Sequence, residues 1–86
     1  MRTRIVTWCV VRKVNRRTLY TFFARRRAAE HFRGSPAAGD LFKVTWRDVE
    51  GGTKSVLAGV ANLALVSMSD AAKLAKFTSM ATWEPI

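Results

Sequence analysis

The chain has 86 residues, enough for a single domain over residues 1–86 whose core is built from few elements. Hydrophobic residues make up 49% and the mean hydropathy is −0.01, which is typical of a globular fold and argues against disorder. The single cysteine, Cys9, excludes an internal disulfide and an ordinary cysteine-based zinc site, and it favours a reducing compartment such as the cytoplasm.

The positive charge is concentrated in the first part of the chain. Residues 1–34 hold ten basic residues and one acid, whereas residues 35–86 hold five of each, so the first segment carries the whole formal charge of +9. We therefore distinguish a basic half, residues 1–34, from a neutral half, residues 40–80. Nine of the ten basic residues in the basic half are arginines, which grip phosphate or carboxylate with two hydrogen bonds where lysine offers a point charge.

The basic half begins with a predicted β-hairpin. Arg4–Val14 is rich in β-branched residues and predicts a strand that is apolar on both faces along its middle. Asn15–Arg17 indicates a turn, because asparagine tolerates the left-handed conformation that tight hairpins need. Thr18–Phe23 is the predicted return strand.

A change of periodicity after the hairpin predicts a helix over Ala24–Phe32, and Gly34 is the predicted stop signal that follows it. Its apolar stripe is predicted to consist of Ala24, Ala28, Ala29 and Phe32. We expect Glu30 to form a weak exposed ion pair with Arg26, four residues earlier.

The neutral half repeats this layout. Leu41–Val49 alternates apolar and polar residues and predicts a half-buried strand, and Glu50–Thr53 is a predicted hairpin turn. The segment Lys54–Met68 is ambiguous: Val56, Leu57, Val60, Leu63 and Ala64 fit helical spacing. The β-branched residues and the preceding glycines favour a strand, which we predict.

A second helix is predicted over Ser69–Phe77, with Ser69 as its N-cap. The remaining tail is expected to be pinned to the body by Trp83. Together these elements predict an α+β fold of order β-β-α-β-β-α, with an antiparallel sheet of about four strands and two helices packed on one face.

No group of residues suggests catalysis. His31 is the only histidine and lacks a carboxylate placed to orient it, and Cys9 lies mid-strand, where a buried apolar role is expected. The acids form no metal-ligating constellation, and "EGGT" lacks the lysine and the spacing of a phosphate-binding loop. We predict a protein that is not an enzyme and needs no cofactor or metal.

Binding is the function that the composition favours. Two basic patches are expected, one at the hairpin tip and one at the helix start, and exposed arginines suit a nucleic-acid backbone. Tyr20, Trp8 and Trp46 have the rings to stack on bases, but a chain with few large residues is expected to use them in its core. The predicted binding residues are Arg12, Lys13, Arg16, Arg17, Arg25, Arg26, Arg27 and Arg33.

The runs "LYTFFARRRAAEHF" and "FKVTWRDVEGGTKSV" resemble the strand-into-helix segment and the hairpins of short phage and prophage proteins. The resemblance implies an accessory phage protein acting in the host cytoplasm, such as an inhibitor of a host defence or transcription complex. Anti-CRISPR proteins are one such class. No signature residues define it, so it assigns no functional positions.

Three interpretations of the arginines remain open at this point. They contact nucleic acid, alone or within a nucleoprotein complex, or they contact an acidic surface of a host protein. In the third, they only solvate the surface of an arginine-rich chain. A structural role for the protein, such as a small homo-oligomer or a virion component, is also left open. No stretch reaches the ~18 apolar residues that a membrane span needs, so no membrane partner is expected.

Overall fold

The described residues of this computed structural model are 2–60, 65–66 and 80–86. Within these residues, five strands form one antiparallel sheet in the order β4-β2-β1-β3-β5, and two α-helices accompany it. In chain order the elements are β1 (Arg2–Val14), β2 (Arg17–Phe23), α1 (Arg26–Arg33), a 3-10 turn (Pro36–Ala38), β3 (Asp40–Glu50), α2 (Gly52–Val60), β4 (Leu65–Val66) and β5 (Ala81–Pro85). The predicted α+β class with a small antiparallel sheet is confirmed, although the order of the described elements is β-β-α-β-α-β-β.

The central strand of the sheet is β1, which pairs with β2 on one side and β3 on the other. Its side chains alternate between the two faces. Cys9 on one face and Val10 on the other are both fully buried. The prediction that this strand is apolar on both faces is therefore confirmed.

The two helices cover opposite faces of the sheet. On the first, here called the α1 face, Ala29 of α1 packs against Val10 and Leu41. On the second, the α2 face, Val56 and Val60 of α2 join a cluster that contains Ile5, Cys9, Val44 and Trp46. The prediction that both helices pack on one face is not confirmed, because a central strand with two apolar faces needs cover on each side.

The predicted hairpin turn at Glu50–Thr53 is wrong. Gly51 and Gly52 do have positive φ values, 86° and 76°, but they lead β3 into α2 and not into another strand. The predicted strand over Lys54–Met68 is accordingly helical over its first part, because Val56 and Val60, four residues apart, are both buried. Within this segment the structure describes strand only at Leu65–Val66.

The first helix starts two residues later than predicted and buries a narrower stripe. Ala24 and Ala28 are exposed, whereas Ala29 is fully buried. The predicted end is confirmed: Gly34 has a φ of 68°, and its N–H donates a 3.0 Å hydrogen bond to the Glu30 carbonyl oxygen.

The tail is held by the sheet through β5, which pairs with β3. The Trp83 ring lies 5.7 Å from the Phe42 ring and 6.0 Å from the Phe22 ring between centroids, so the prediction that Trp83 pins the tail is confirmed. The predicted helix Ser69–Phe77 lies outside the described residues.

Candidate functional site

Five of the predicted arginines lie on the α1 side of the sheet. Arg12 is two residues after Val10 in β1, so its side chain lies on the same face of the sheet and points toward α1. The others belong to α1 or cap its start. We call this set, together with the helix that carries most of it, the arginine face. Its members are Arg12, Arg25, Arg26, Arg27 and Arg33.

Three consecutive arginines form the start of α1. Arg25 is the N-cap in an extended conformation and makes no side-chain capping hydrogen bond, and no acidic residue lies in the first turn. Arg25, Arg26 and Arg27 are all exposed. Cations at a helix N-terminus oppose the helix dipole at a cost of about 0.3–1 kcal/mol each, so helix stability does not account for their placement. Their charge and the uncapped N–H groups together favour an anion.

Most of this charge has no carboxylate partner in the described part of the chain. The Arg26 Nε donates a 2.8 Å hydrogen bond to the Glu30 Oε1, and this is the one ion pair within 4.0 Å among those residues. The predicted Arg26–Glu30 pair is thus confirmed. The two side chains are 53% and 46% exposed, so the pair contributes at most about 1 kcal/mol. Arg25 and Arg27, both exposed, have no carboxylate within 4.0 Å among the described residues.

Arg12 is held in place by its contacts with two other elements. The guanidinium carbon lies 5.4 Å from the centre of the Phe32 ring of α1, a cation–π contact worth about 0.5–1 kcal/mol. The loop before β3 closes on the stem of the same side chain. A Cβ added at Gly39 would lie 2.6 Å from the Arg12 Cγ and 2.8 Å from the Val11 carbonyl oxygen. Gly39 therefore permits an approach that a larger residue would prevent.

The hairpin tip carries the remaining predicted residues, and it does not merge with the arginine face. Lys13 is exposed, and because it follows Arg12 in β1 its side chain lies on the opposite face of the sheet, the α2 face. Arg16 is exposed in the two-residue turn. Arg17 begins β2, and its side chain lies outside the described part of the structure. Of the residues predicted at the tip, Arg12 is the one for which the described structure shows a contact with α1, through the Phe32 ring.

The turn itself is strained at Arg16. Asn15 and Arg16 have φ values of 48° and 65°, the left-handed pair of a type I′ hairpin, in which glycine is preferred at the second position. We expect Arg16→Gly to stabilise the fold by about 0.5–1 kcal/mol. Glycine removes the backbone strain at this position, and this gain exceeds the loss that glycine causes by raising the conformational entropy of the unfolded chain. Thermal melting of Arg16→Gly beside the charge-neutral control Asn15→Gly checks this, and a lower melting temperature for Arg16→Gly would contradict it.

Arg33 is the one arginine of α1 that is not exposed. Its side chain is half-buried, and its Nε is buried with no hydrogen-bond partner among the described residues. Its position four residues after the buried Ala29 turns it toward the sheet.

The aromatic residues divide differently from the sequence expectation. Trp46 is 3% exposed and belongs to the core, as expected, and Tyr20 and Trp8 are half-buried against the two core clusters. Among the residues that the structure describes, Phe32 is the exposed ring, at 43%, and it lies beside Arg12. Sequence reasoning missed it because a phenylalanine at a helical repeat position is normally a core residue.

His31 and Cys9, the two residues considered as catalytic candidates, lie in different environments. His31 is exposed on α1, and Cys9 is fully buried, as predicted. Burial raises the pKa of the Cys9 thiol to about 12, with a small opposing effect from a backbone hydrogen bond at Thr21. The thiol is therefore neutral at physiological pH. Among the described residues no group of three or more His, Cys, Asp or Glu is placed to hold a metal ion.

The raised pKa of Cys9 has a consequence for stability at high pH. The unfolded thiol ionises near 9.0 and the folded one near 12, so the folded state binds more protons between these values and stability falls as the pH rises through this window. We expect wild type to lose about 1 kcal/mol per pH unit more than Cys9→Ala above pH ~9. Urea unfolding of both proteins at several pH values measures the difference, and parallel curves would contradict it.

No protein-family model, curated protein or solved structure matches the chain. Neither described helix has the length and the apolar character needed to cross a lipid bilayer. The site must therefore be interpreted from its own chemistry.

Proposed function

We propose that this protein binds nucleic acid, alone or within a nucleoprotein complex, through the arginine face. The observation that carries the proposal is the exposure of Arg25, Arg26 and Arg27 together at the uncapped start of α1, with one carboxylate partner among the described residues. A phosphate backbone supplies closely spaced anions for such a surface, and neutralising them releases counterions. The protein acts by binding and not by catalysis.

The contacts of this surface are chiefly with phosphate. The three arginines lie at the start of a short helix that packs against the sheet. Among the described residues, no second helix or hairpin lies beside α1 on the α1 face, where it could enter a groove of a duplex. Phosphate contacts fix position without reading sequence. We therefore expect similar affinities for unrelated sequences.

Fluorescence anisotropy of labelled DNA and RNA, single-stranded and duplex, titrated across salt concentration, tests the proposal. Binding that weakens with a log–log slope of several indicates that several phosphates are neutralised, at about 0.7–0.9 per phosphate. An absence of binding to every oligonucleotide at low salt would overturn the proposal.

The alternative is that the arginine face docks on an acidic protein surface, as a phage-encoded inhibitor of a host complex would. Uncompensated arginines suit carboxylates as well as phosphates. A host protein that co-purifies with the chain after nuclease treatment, and is lost when Arg25, Arg26 and Arg27 are replaced, would favour this alternative.

A further inference from the structure

An exposed aromatic ring, Phe32, lies within the arginine face. Phe32 is one of three large hydrophobic side chains that are exposed among the described residues, with Met80 and Ile86. Met80 and Ile86 lie near the end of the chain, whereas Phe32 lies on the helix that carries the arginines. An exposed ring among cations is the combination on which proteins stack unpaired bases.

The ring is supported on two sides. The Phe23 ring lies 5.2 Å away between centroids, tilted by 46°, and the Arg12 guanidinium carbon lies 5.4 Å from the ring centre. Phe23 in turn packs against the core cluster of Val10, Ala29 and Leu41. Gly39 lets the chain close on the stem of Arg12. The core therefore holds one neighbour of the ring and the loop before β3 holds the other, so both are in place before any ligand binds.

We propose that the ligand of the arginine face is single-stranded nucleic acid, with one base stacked on the exposed surface of the Phe32–Arg12 pair. This inference rests on the proposed function and adds the ligand class to it. Arginines at the start of α1 contact the phosphates, while the ring and the guanidinium plane contact a base. A duplex keeps its bases stacked on each other, so it gains the phosphate contacts alone.

The deciding experiment compares three ligands of about 15 nucleotides, a length on the scale of a single small domain: a single strand, the same backbone with abasic sites throughout, and a duplex. Each is titrated by anisotropy with wild type, Phe32→Ala and Phe32→Leu. We expect Phe32→Ala to weaken single-strand binding about tenfold and to leave abasic and duplex binding unchanged, because one base stack is lost.

The control variants separate stacking from folding. Phe32→Leu keeps an apolar side chain on α1 but has no π surface, so it should lose single-strand affinity as Phe32→Ala does while melting close to wild type. Ile86→Ala removes another exposed apolar side chain, 50% exposed, and should bind all three ligands as wild type does.

The outcomes distinguish the two proposals. If wild type and Phe32→Ala prefer the single strand over the abasic strand to the same extent, the stacking inference is overturned. Salt-dependent binding by both proteins would in that case still support the proposed function. Binding that is tightest to duplex would also overturn it. No binding to any ligand at low salt would overturn both.

Discussion

Replacing Arg25, Arg26 and Arg27 together by alanine is expected to weaken oligonucleotide binding on the order of a hundredfold at about 50 mM salt, and far less near 1 M. The reason is that all three side chains are exposed, and only Arg26 has a carboxylate partner among the described residues. Losing three phosphate contacts should also lower the log–log salt slope by about 2 for a single strand. Anisotropy across salt measures both quantities.

A matched control removes the same charge elsewhere. Arg4, Arg47 and Lys54 are exposed and lie outside the arginine face, so their replacement by alanine lowers the net charge by the same amount. We expect this variant to keep most of its affinity, since long-range attraction between exposed charges is screened by salt. Equal losses in the two triple variants would show that net charge, and not the start of α1, governs binding.

Folding of the arginine variants is not expected to suffer. The three side chains contribute one exposed ion pair, and their charges oppose the dipole of α1. Alanine is the best helix former at Arg26 and Arg27, which occupy the first turn. A melting temperature at or above that of wild type is therefore part of the expected result, and it makes the loss of binding interpretable.

Replacing Trp46 by alanine is expected to cost about 3–5 kcal/mol, a large part of the stability of a domain of this size. Trp46 is 3% exposed, lies 5.9 Å from the Phe22 ring between centroids, and packs in the cluster that joins α2 to the sheet. The melting temperature should fall by at least about 15 °C. Thermal and urea unfolding followed by circular dichroism measure the loss.

Trp46→Phe is the control for this variant. The indole Nε1 of Trp46 is buried without a hydrogen-bond partner among the described residues, so phenylalanine removes a costly N–H along with part of the volume. We expect a loss of about 1 kcal/mol or less. Because Trp46 lies on the α2 face, Trp46→Phe should bind oligonucleotide as wild type does. A Trp46→Ala protein that melts within a few degrees of wild type would contradict the core assignment.

The elements that sequence patterns predicted well are those with local signals. Arg4–Val14 and Leu41–Val49 correspond to β1 and β3, because β-branched and alternating residues favour strands independently of their partners. The end of α1 at Gly34 followed from glycine's access to positive φ. The positions of the arginines within the basic half were likewise evident from the chain alone.

The errors arose where two local signals competed. Gly51 and Gly52 suit a hairpin turn, yet the same positive φ values carry the chain from β3 into α2. Val56 and Val60 are β-branched, which favours a strand, but they are four residues apart and both bury against the sheet. Packing against the apolar α2 face decided in favour of the helix, since tertiary burial outweighs propensity differences of a few tenths of a kcal/mol.

The candidate site shows the same division. The sequence by itself determined that the basic half carries the net charge and that Arg25, Arg26 and Arg27 lie at the start of a helix, because composition and periodicity are properties of the chain. Only the tertiary structure decided that Arg12 joins them, that Arg33 turns inward and that Phe32 stays exposed. Those outcomes depend on how β1 and α1 meet across the sheet, and no local pattern encodes the contact between residues so far apart along the chain.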